Sequence, residues 1–328
     1  MVIMSIKTCP QYTIKDVIDS KKNDINILKK DKNKLHLLNC DKIKSVSFAG
    51  NKIIYNYFFE ELLNTKKSNG KNFYSIFNNE NDKERLIEQA VKRDRRKKQI
   101  IIHPEDLFEC WRINSGSITF FKPSVMKQLV TNYMKEQDDN KDIKILDLTM
   151  GWGGRLIGAL ASQASNKITY VGYDTNVNLK KPYIDLLKEL YNLDYSIIND
   201  NVIHFENNIY DITLHFEDFI NIGDTDFNDE FDLVISSPPY NNLEVYSHME
   251  TFHNKNAYYD WLITYTSYSI MYAKTDGLVG LSLSKEIYDE LVKRRPDLEC
   301  SYIELMGQQM GKSRKKDYIY VWKNNMEK

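Results

Sequence analysis

The sequence predicts an α/β fold built on a mostly parallel sheet, preceded by a basic and mainly helical extension. A first observation is that Ile143 to Leu148 reads as a strand running into Gly151-Trp-Gly153-Gly154, followed by Leu156, Ile157 and Leu160 at helical spacing. That is the strand, tight turn and helix of an open α/β sheet. Two further runs, Ile168 to Asp174 and Ile212 to Asp218, read as strands that each end in an acid. Lastly, Asp232 to Ser236 reads as a short buried strand stopped by Pro238-Pro239, and Gly277 to Ser284 is a continuous apolar strand of the kind covered by helices on both faces.

The 328 residues suffice for one large domain, or one domain with an extension, and a hydrophobic fraction of 42% with near-even charge fits a globular chain. No run of ~18 apolar residues occurs that would suit a membrane span. The opening Met1-Val-Ile-Met-Ser-Ile-Lys is short for a signal sequence, and Lys15, Lys21 and Lys22 follow it, so a cytosolic or nuclear location is expected. Cys9, Cys40, Cys110 and Cys300 are scattered without pair spacing, which argues against a disulfide framework or a zinc site. His248 and His253 lack a third ligand at recognisable spacing, and no metal is expected.

Charge is uneven. Residues 1–100 carry 22 Lys and Arg against 12 Asp and Glu, whereas 101–328 carry 23 against 34. A basic arm beside an acidic body suits an arm that holds a polyanion, and it equally suits a lysine-rich solvated surface. Residues 1–45 read as weakly structured or helical. Lys52 to Leu63 has a helical apolar period, Lys66 to Lys71 is a polar linker, and Asp82 to Lys98 is a second helical run. Its end holds Arg93, Arg95, Arg96 and Lys97, which would either neutralise phosphates or complement the helix dipole. The boundary between extension, 1–99, and body, 100–328, falls here.

In the body, Phe120-Phe121-Lys122-Pro123-Ser124 opens a helix from Val125 to Lys135. The turn after the first strand follows the pattern Asp147-x-x-x-Gly151-x-Gly153, and Leu156 breaks the dinucleotide glycine pattern. Tyr258 to Ala273 reads as helix. Glu299 to Met306 and Asp317 to Trp322 read as a final antiparallel pair, joined by a cationic hairpin with Lys312 and Arg314 that could grip phosphate.

Ser237-Pro238-Pro239-Tyr240 resembles the catalytic tetrapeptide of amino-methyltransferases. Gly-Trp-Gly-Gly-Arg-Leu at 151–156, together with Ser-Pro-Pro-Tyr-x-x-Leu-Glu-x-Tyr-Ser at 237–247, is similar to a group of phage and large-virus DNA methyltransferases, over roughly residues 115–325. The resemblance implies a Rossmann-like class I methyltransferase fold with a mostly parallel seven-stranded sheet and S-adenosylmethionine as cofactor. It further implies that Phe121 and Pro123 line the methionine end of the cofactor, that Asp147 binds its ammonium group, and that Thr149, Gly151 and Gly153 form the loop beneath it. Asp174, some twenty residues past the glycines, would accept from the ribose hydroxyls, and Asp218, or Glu217 in its place, from the adenine amino group. Glu244 and Tyr246 would either shape a base pocket or brace its loop.

The same resemblance gives the tetrapeptide its chemistry. An exocyclic amino group is a poor nucleophile because its lone pair is delocalised into the ring, so acceptors at Ser237 Oγ and the Pro238 carbonyl would localise that pair as a methyl group arrives. Tyr240 would offer a face for a base swung out of its helix. DNA is the expected partner, with cytosine N4 and adenine N6 both open. RNA or protein glutamine as substrate, and a catalytically silent nucleic-acid-binding subunit, are the alternatives.

Overall fold

The computed structural model describes residues 11–39, 47–67, 70–97, 102–114, 120–136, 141–162, 167–221, 230–239, 244–245, 252–308 and 316–324. Among the described residues six helices come first: α1 (Ile14–Asp19), α2 (Ile25–His36), α3 (Asn51–Asn64), α4 (Phe73–Phe77), α5 (Glu80–Lys97) and α6 (Pro104–Asn114). Local chemistry starts several of them. Thr13 and Asp16 form a reciprocal capping box on α1, Asp24 caps α2, and Asn72 with Ser75 caps α4. The Lys66–Lys67 stretch read as linker is strand β1, which pairs antiparallel with β8 (Glu244–Val245).

The body follows as α7 (Pro123–Lys135), β2 (Ile143–Asp147), α8 (Gly154–Leu160), β3 (Ile168–Tyr173), α9 (Lys180–Tyr191), β4 (Tyr195–Asn199), β5 (Val202–Glu206), β6 (Tyr210–His215), β7 (Phe231–Ser236), α10 (Lys255–Tyr272), β9 (Ala273–Leu283), α11 (Lys285–Arg294), β10 (Tyr302–Gln308) and β11 (Lys316–Lys323). One nine-stranded sheet runs in the order β10-β11-β9-β7-β2-β3-β6-β5-β4. The pairs β9–β7, β7–β2, β2–β3 and β3–β6 are parallel, and the outer pairs are antiparallel. The fold is therefore the Rossmann-like α/β class that the sequence predicts. Seven strands, β6 through β10 in spatial order, make the expected sheet, and the β4–β5 hairpin extends it by two at the β6 edge.

Alternation along the strands splits the core into two layers. Ile145, Leu233 and Ile235 face one layer with Leu156, Ile157, Leu186 and Leu187. Leu146, Val234, Val279 and Leu281 face the other, with Leu262 and Tyr265 of α10 and Leu291 of α11. The helices that precede α7 belong to the first layer, because Phe58, Phe59 and Leu62 of α3 and Phe108 and Trp111 of α6 lie in the same apolar cluster as the sheet. The junction is polar as well. The buried Lys127 of α7 donates to the carbonyls of Leu35, His36 and Leu38 at and just past the end of α2. Its ammonium thereby adds a charged donor at the carbonyl end of the helix, where backbone acceptors run out of intrahelical donors.

Candidate active site

The chain passes from β2 to β3 on one side and reaches β7 on the other, so the sheet changes winding direction between β2 and β7. Ligands of open α/β sheets sit at such a point, outside the carboxyl ends of the strands. Those two ends hold the glycine turn and the Ser-Pro-Pro turn.

Thr149 joins them. Its hydroxyl donates to the Ser237 carbonyl at 3.0 Å and lies 2.8 Å from Ser236 Oγ, while its backbone N–H donates to Ser236 Oγ at 3.1 Å. The two turns are thus fixed against each other through one side chain. Ser237 is half-buried, and neither its hydroxyl nor the Pro238 carbonyl has a hydrogen-bond partner among the described residues. Tyr240 lies outside the described residues, as does Tyr246. Glu244 falls on β8, and its side chain also lies outside them.

Beneath the turns is a buried ionic network. Asp147 is fully buried, and its Oδ2 accepts from Arg155 Nε at 2.6 Å and from Tyr170 OH at 2.7 Å. Its Oδ1 accepts from Ser236 Oγ at 3.0 Å and from the Thr149 N–H at 3.2 Å. Arg155 also donates to the Thr149 carbonyl and stacks its guanidinium over Phe121, 5.3 Å from the ring centre. Burial works against the Arg155 charge, but the neighbouring carboxylate outweighs it and raises the guanidinium's pKa. Burial and the same carboxylate hold the Tyr170 phenol neutral, far above its usual range. The resemblance assigns Asp147 a ligand ammonium as partner. In the structure its acceptors instead face Arg155, Tyr170 and Ser236 under the loop.

The glycines divide the labour. Gly151 is in the left-handed region at φ 56°, and a side chain there would meet only the Thr149 carbonyl at ordinary distance, so there is open space on that side of the turn. Gly153, at φ 73°, is packed from behind: a Cβ would stand 2.9 Å from the Phe58 ring. A Cβ on Gly154 would overlap the Phe121 carbonyl oxygen. Phe121 and Pro123 therefore brace the turn, with Pro123 buried against Gly50.

Along the edge, Asp174 follows β3. Its two carboxylate oxygens accept one backbone N–H each, from Asn176 and Gly151, both at 2.9 Å. Burial dominates over these donors and pushes its pKa up to about 6. Asp218 lies three residues past the end of β6, half-buried, and accepts from the Ile220 N–H at 3.1 Å. Glu217 instead sits 3.3 Å from His215 Nδ1, and His215 stacks on Tyr173 at 4.2 Å. Of the cationic residues expected at nucleic acid, Arg93 lies on α5 with Nη1 buried and without a hydrogen-bond partner among the described residues. Arg95, Arg96 and Lys97 continue that helix with side chains outside the described residues, and Lys312 and Arg314 lie outside them altogether. His253 is exposed, and among the described residues no group of three His, Cys, Asp or Glu stands together. Nor is any described helix long and apolar enough to cross a membrane.

Three residues of the site, Arg155, Ser236 and Tyr265, are given no role by the sequence motifs, although Arg155 stands within Gly-Trp-Gly-Gly-Arg-Leu. Arg155 is the only charge in the apolar run of α8, and that oddity is its signal. Ser236 precedes Ser237 on a strand, so one of the two must face into the sheet end. Tyr265 reaches Thr149 Oγ1 at 3.5 Å from α10, a contact no local pattern announces.

No family model matches the chain, and no curated protein matches it. Solved structures do. A protein of Listeria monocytogenes described as a class I S-adenosylmethionine-dependent methyltransferase is 11% identical, over 92% of this chain and 88% of that one, with a TM-score of 0.45. An S-adenosylmethionine-dependent O-methyltransferase of Thermotoga maritima is 12% identical, over 67% and 71%, with a TM-score of 0.40. The tRNA (m1A58) methyltransferase of Aquifex aeolicus is 10% identical, over 60% and 68%, with a TM-score of 0.37.

Proposed function

We propose that this chain transfers a methyl group from S-adenosylmethionine to the exocyclic amino nitrogen of a nucleic-acid base, cytosine N4 or adenine N6, with DNA as the polymer. One observation carries the reading: Thr149 holds the glycine turn of β2 and the Ser-Pro-Pro turn of β7 together at the switch point of the sheet, its hydroxyl 3.0 Å from the Ser237 carbonyl. A cofactor loop and a set of proton acceptors then share one edge.

The residues present fit the cofactor. Asp174 is a half-buried carboxylate with one backbone donor on each oxygen and a pKa raised to about 6. Such a group is short of donors, and a ribose diol offers two. Gly151 leaves space beside it, where a side chain would meet only the Thr149 carbonyl. Asp218 stands at the next strand end, suited to an adenine amino group. Asp147 is committed to Arg155, so in this reading it does not hold the cofactor's ammonium group, the role given to it by resemblance. When bound, S-adenosylmethionine supplies an electrophilic methyl on sulfur.

The chain's own part is then positional and electrostatic. Ser237 Oγ and the Pro238 carbonyl accept hydrogen bonds from the amino group and draw its lone pair out of the ring as its charge develops. The two prolines fix these acceptors without a strand or helix to consume them. Tyr240 gives the extruded base a face.

The test is calorimetric titration with S-adenosylmethionine, followed by transfer of labelled methyl to DNA and, separately, to RNA. Saturable cofactor binding with label in DNA is the expected result. Label in RNA alone would move the substrate, and label in neither polymer despite cofactor binding would refute the nucleic-acid reading.

A further inference from the structure

We propose that a second surface, centred on Phe48 and ringed by Lys30, Lys34, Lys52 and Lys122, binds a nucleic-acid strand beside the site. This rests on the function proposed above and adds a contact that neither the arginine run of α5 nor the cationic hairpin supplies.

Leu37 and Phe48 are the two most exposed large apolar residues among those described, at 76% and 70%. Both of their segments are tied to one face of α7. Lys127 donates to the carbonyls on either side of Leu37, and Ser124, three residues earlier, donates to the Ser47 carbonyl at 3.0 Å. Lys122, just before α7, holds its ammonium 5.4 Å from the Phe48 ring centre. Lys30 and Lys34 are neighbours on α2 at i,i+4 and form no salt bridge among the described residues. Like charges so placed weaken a helix unless an anion joins them. The carboxylate nearest to them in the chain, Asp31, is buried and accepts from the Gly50 and Lys52 backbone N–H groups, so Lys34 and Lys52 feel its field without pairing with it.

The patch adjoins the site. Lys122 stands between Phe121, whose carbonyl packs on Gly154, and Pro123, which packs on Gly50. It is therefore at the carboxyl edge of the sheet, where the glycine turn lies. An open aromatic face among lysines is what a strand with exposed bases takes: the ring stacks a base and the cations follow phosphates. An anionic membrane would meet the same cations, but only two apolar side chains protrude among the described residues of the patch, too few to anchor a bilayer surface.

The experiment is fluorescence anisotropy of the full chain with labelled single-stranded DNA, duplex DNA and RNA across a salt series. Phe48→Ala is expected to weaken binding about tenfold, Phe48→Trp to retain it, and both to leave cofactor affinity unchanged. The double variant Lys30→Gln/Lys34→Gln is expected to lower the slope of log affinity against log salt by about 1.4 to 1.8. The polymer that shows both losses is the one this surface contacts. Wild-type binding that persists unchanged in all variants would overturn the proposal while sparing the function. Loss of binding to phosphatidylserine vesicles, with nucleic-acid affinity intact, would overturn it in favour of a membrane. If the wild type binds neither DNA nor RNA, the proposed function itself falls, and this surface with it.

Discussion

Asp174→Asn is expected to make the protein more stable and less able to bind its cofactor. The folded-state pKa of Asp174 is raised to about 6 from an ordinary 3.8, burial being the main cause. A raised pKa means that the stability linked to this group is fully present below about pH 4 and is lost as pH rises through 6. At neutral pH the ionised carboxylate therefore costs the free protein up to ~3 kcal/mol, at about 1.4 kcal/mol for each pH unit between the two values. Asparagine removes that cost but forfeits one acceptor, worth ~1 kcal/mol, opposite the Gly151 or Asn176 N–H. The net gain of ~2 kcal/mol should raise the melting temperature by roughly 2–4 °C at pH 7.5, and should vanish by about pH 4.

Cofactor binding runs the other way. If the ribose hydroxyls donate to the carboxylate, only the ionised form binds, and the dissociation constant of the wild type should rise about twofold at pH 6 and about elevenfold at pH 5 relative to its high-pH limit. The assay is calorimetric titration with S-adenosylmethionine from pH 5 to 8, beside thermal melts of the free protein. A flat pH profile in the wild type, or an asparagine variant that binds as tightly as wild type at pH 7.5, would refute the reasoning.

Gly154→Ala places a Cβ on the Phe121 carbonyl oxygen and should cost about 3 kcal/mol in denaturant unfolding, whereas Gly151→Ala meets open space and should cost only the ~1 kcal/mol of a left-handed alanine. Arg155→Met strips the guanidinium from the buried Asp147 and should destabilise by about 3–5 kcal/mol, read from the urea midpoint. Lys127→Met takes the shared ammonium donor away from the carbonyls of Leu35, His36 and Leu38; a loss of about 2–4 kcal/mol is expected, with faster proteolysis of residues 11–64.

The sheet was legible because each parallel strand is a short apolar run that ends at a turn with its own chemistry: Asp147 before the glycines, Asp174, and Ser236 before the prolines. Both motifs of the site could be read because they are local, and their proximity followed from the rule that places loops at a switch point. What could not be read depends on contacts between segments. Asp147 and Arg155 meet only because the glycine turn reverses the chain, so an acid that looked free for a ligand is consumed by a helix residue eight positions on. The β4–β5 hairpin was missed because every residue of Tyr195–Asn199 is exposed, which leaves no alternation to detect. The lysine-rich text of α2 hid Leu28, Asp31 and Leu35 on its buried face, so a segment that looked like a solvated arm packs into the body.

The most direct measurement is mass spectrometry of nucleosides from DNA and RNA incubated with the protein and S-adenosylmethionine, with Ser237→Ala in parallel. The expected result is N4-methylcytosine or N6-methyladenine in DNA with the wild type, and a loss of at least about a hundredfold in the variant while cofactor affinity holds. Undiminished methylation by Ser237→Ala would contradict the role given to the Ser-Pro-Pro turn, and no methylated base in either polymer from a protein that binds the cofactor would contradict the function.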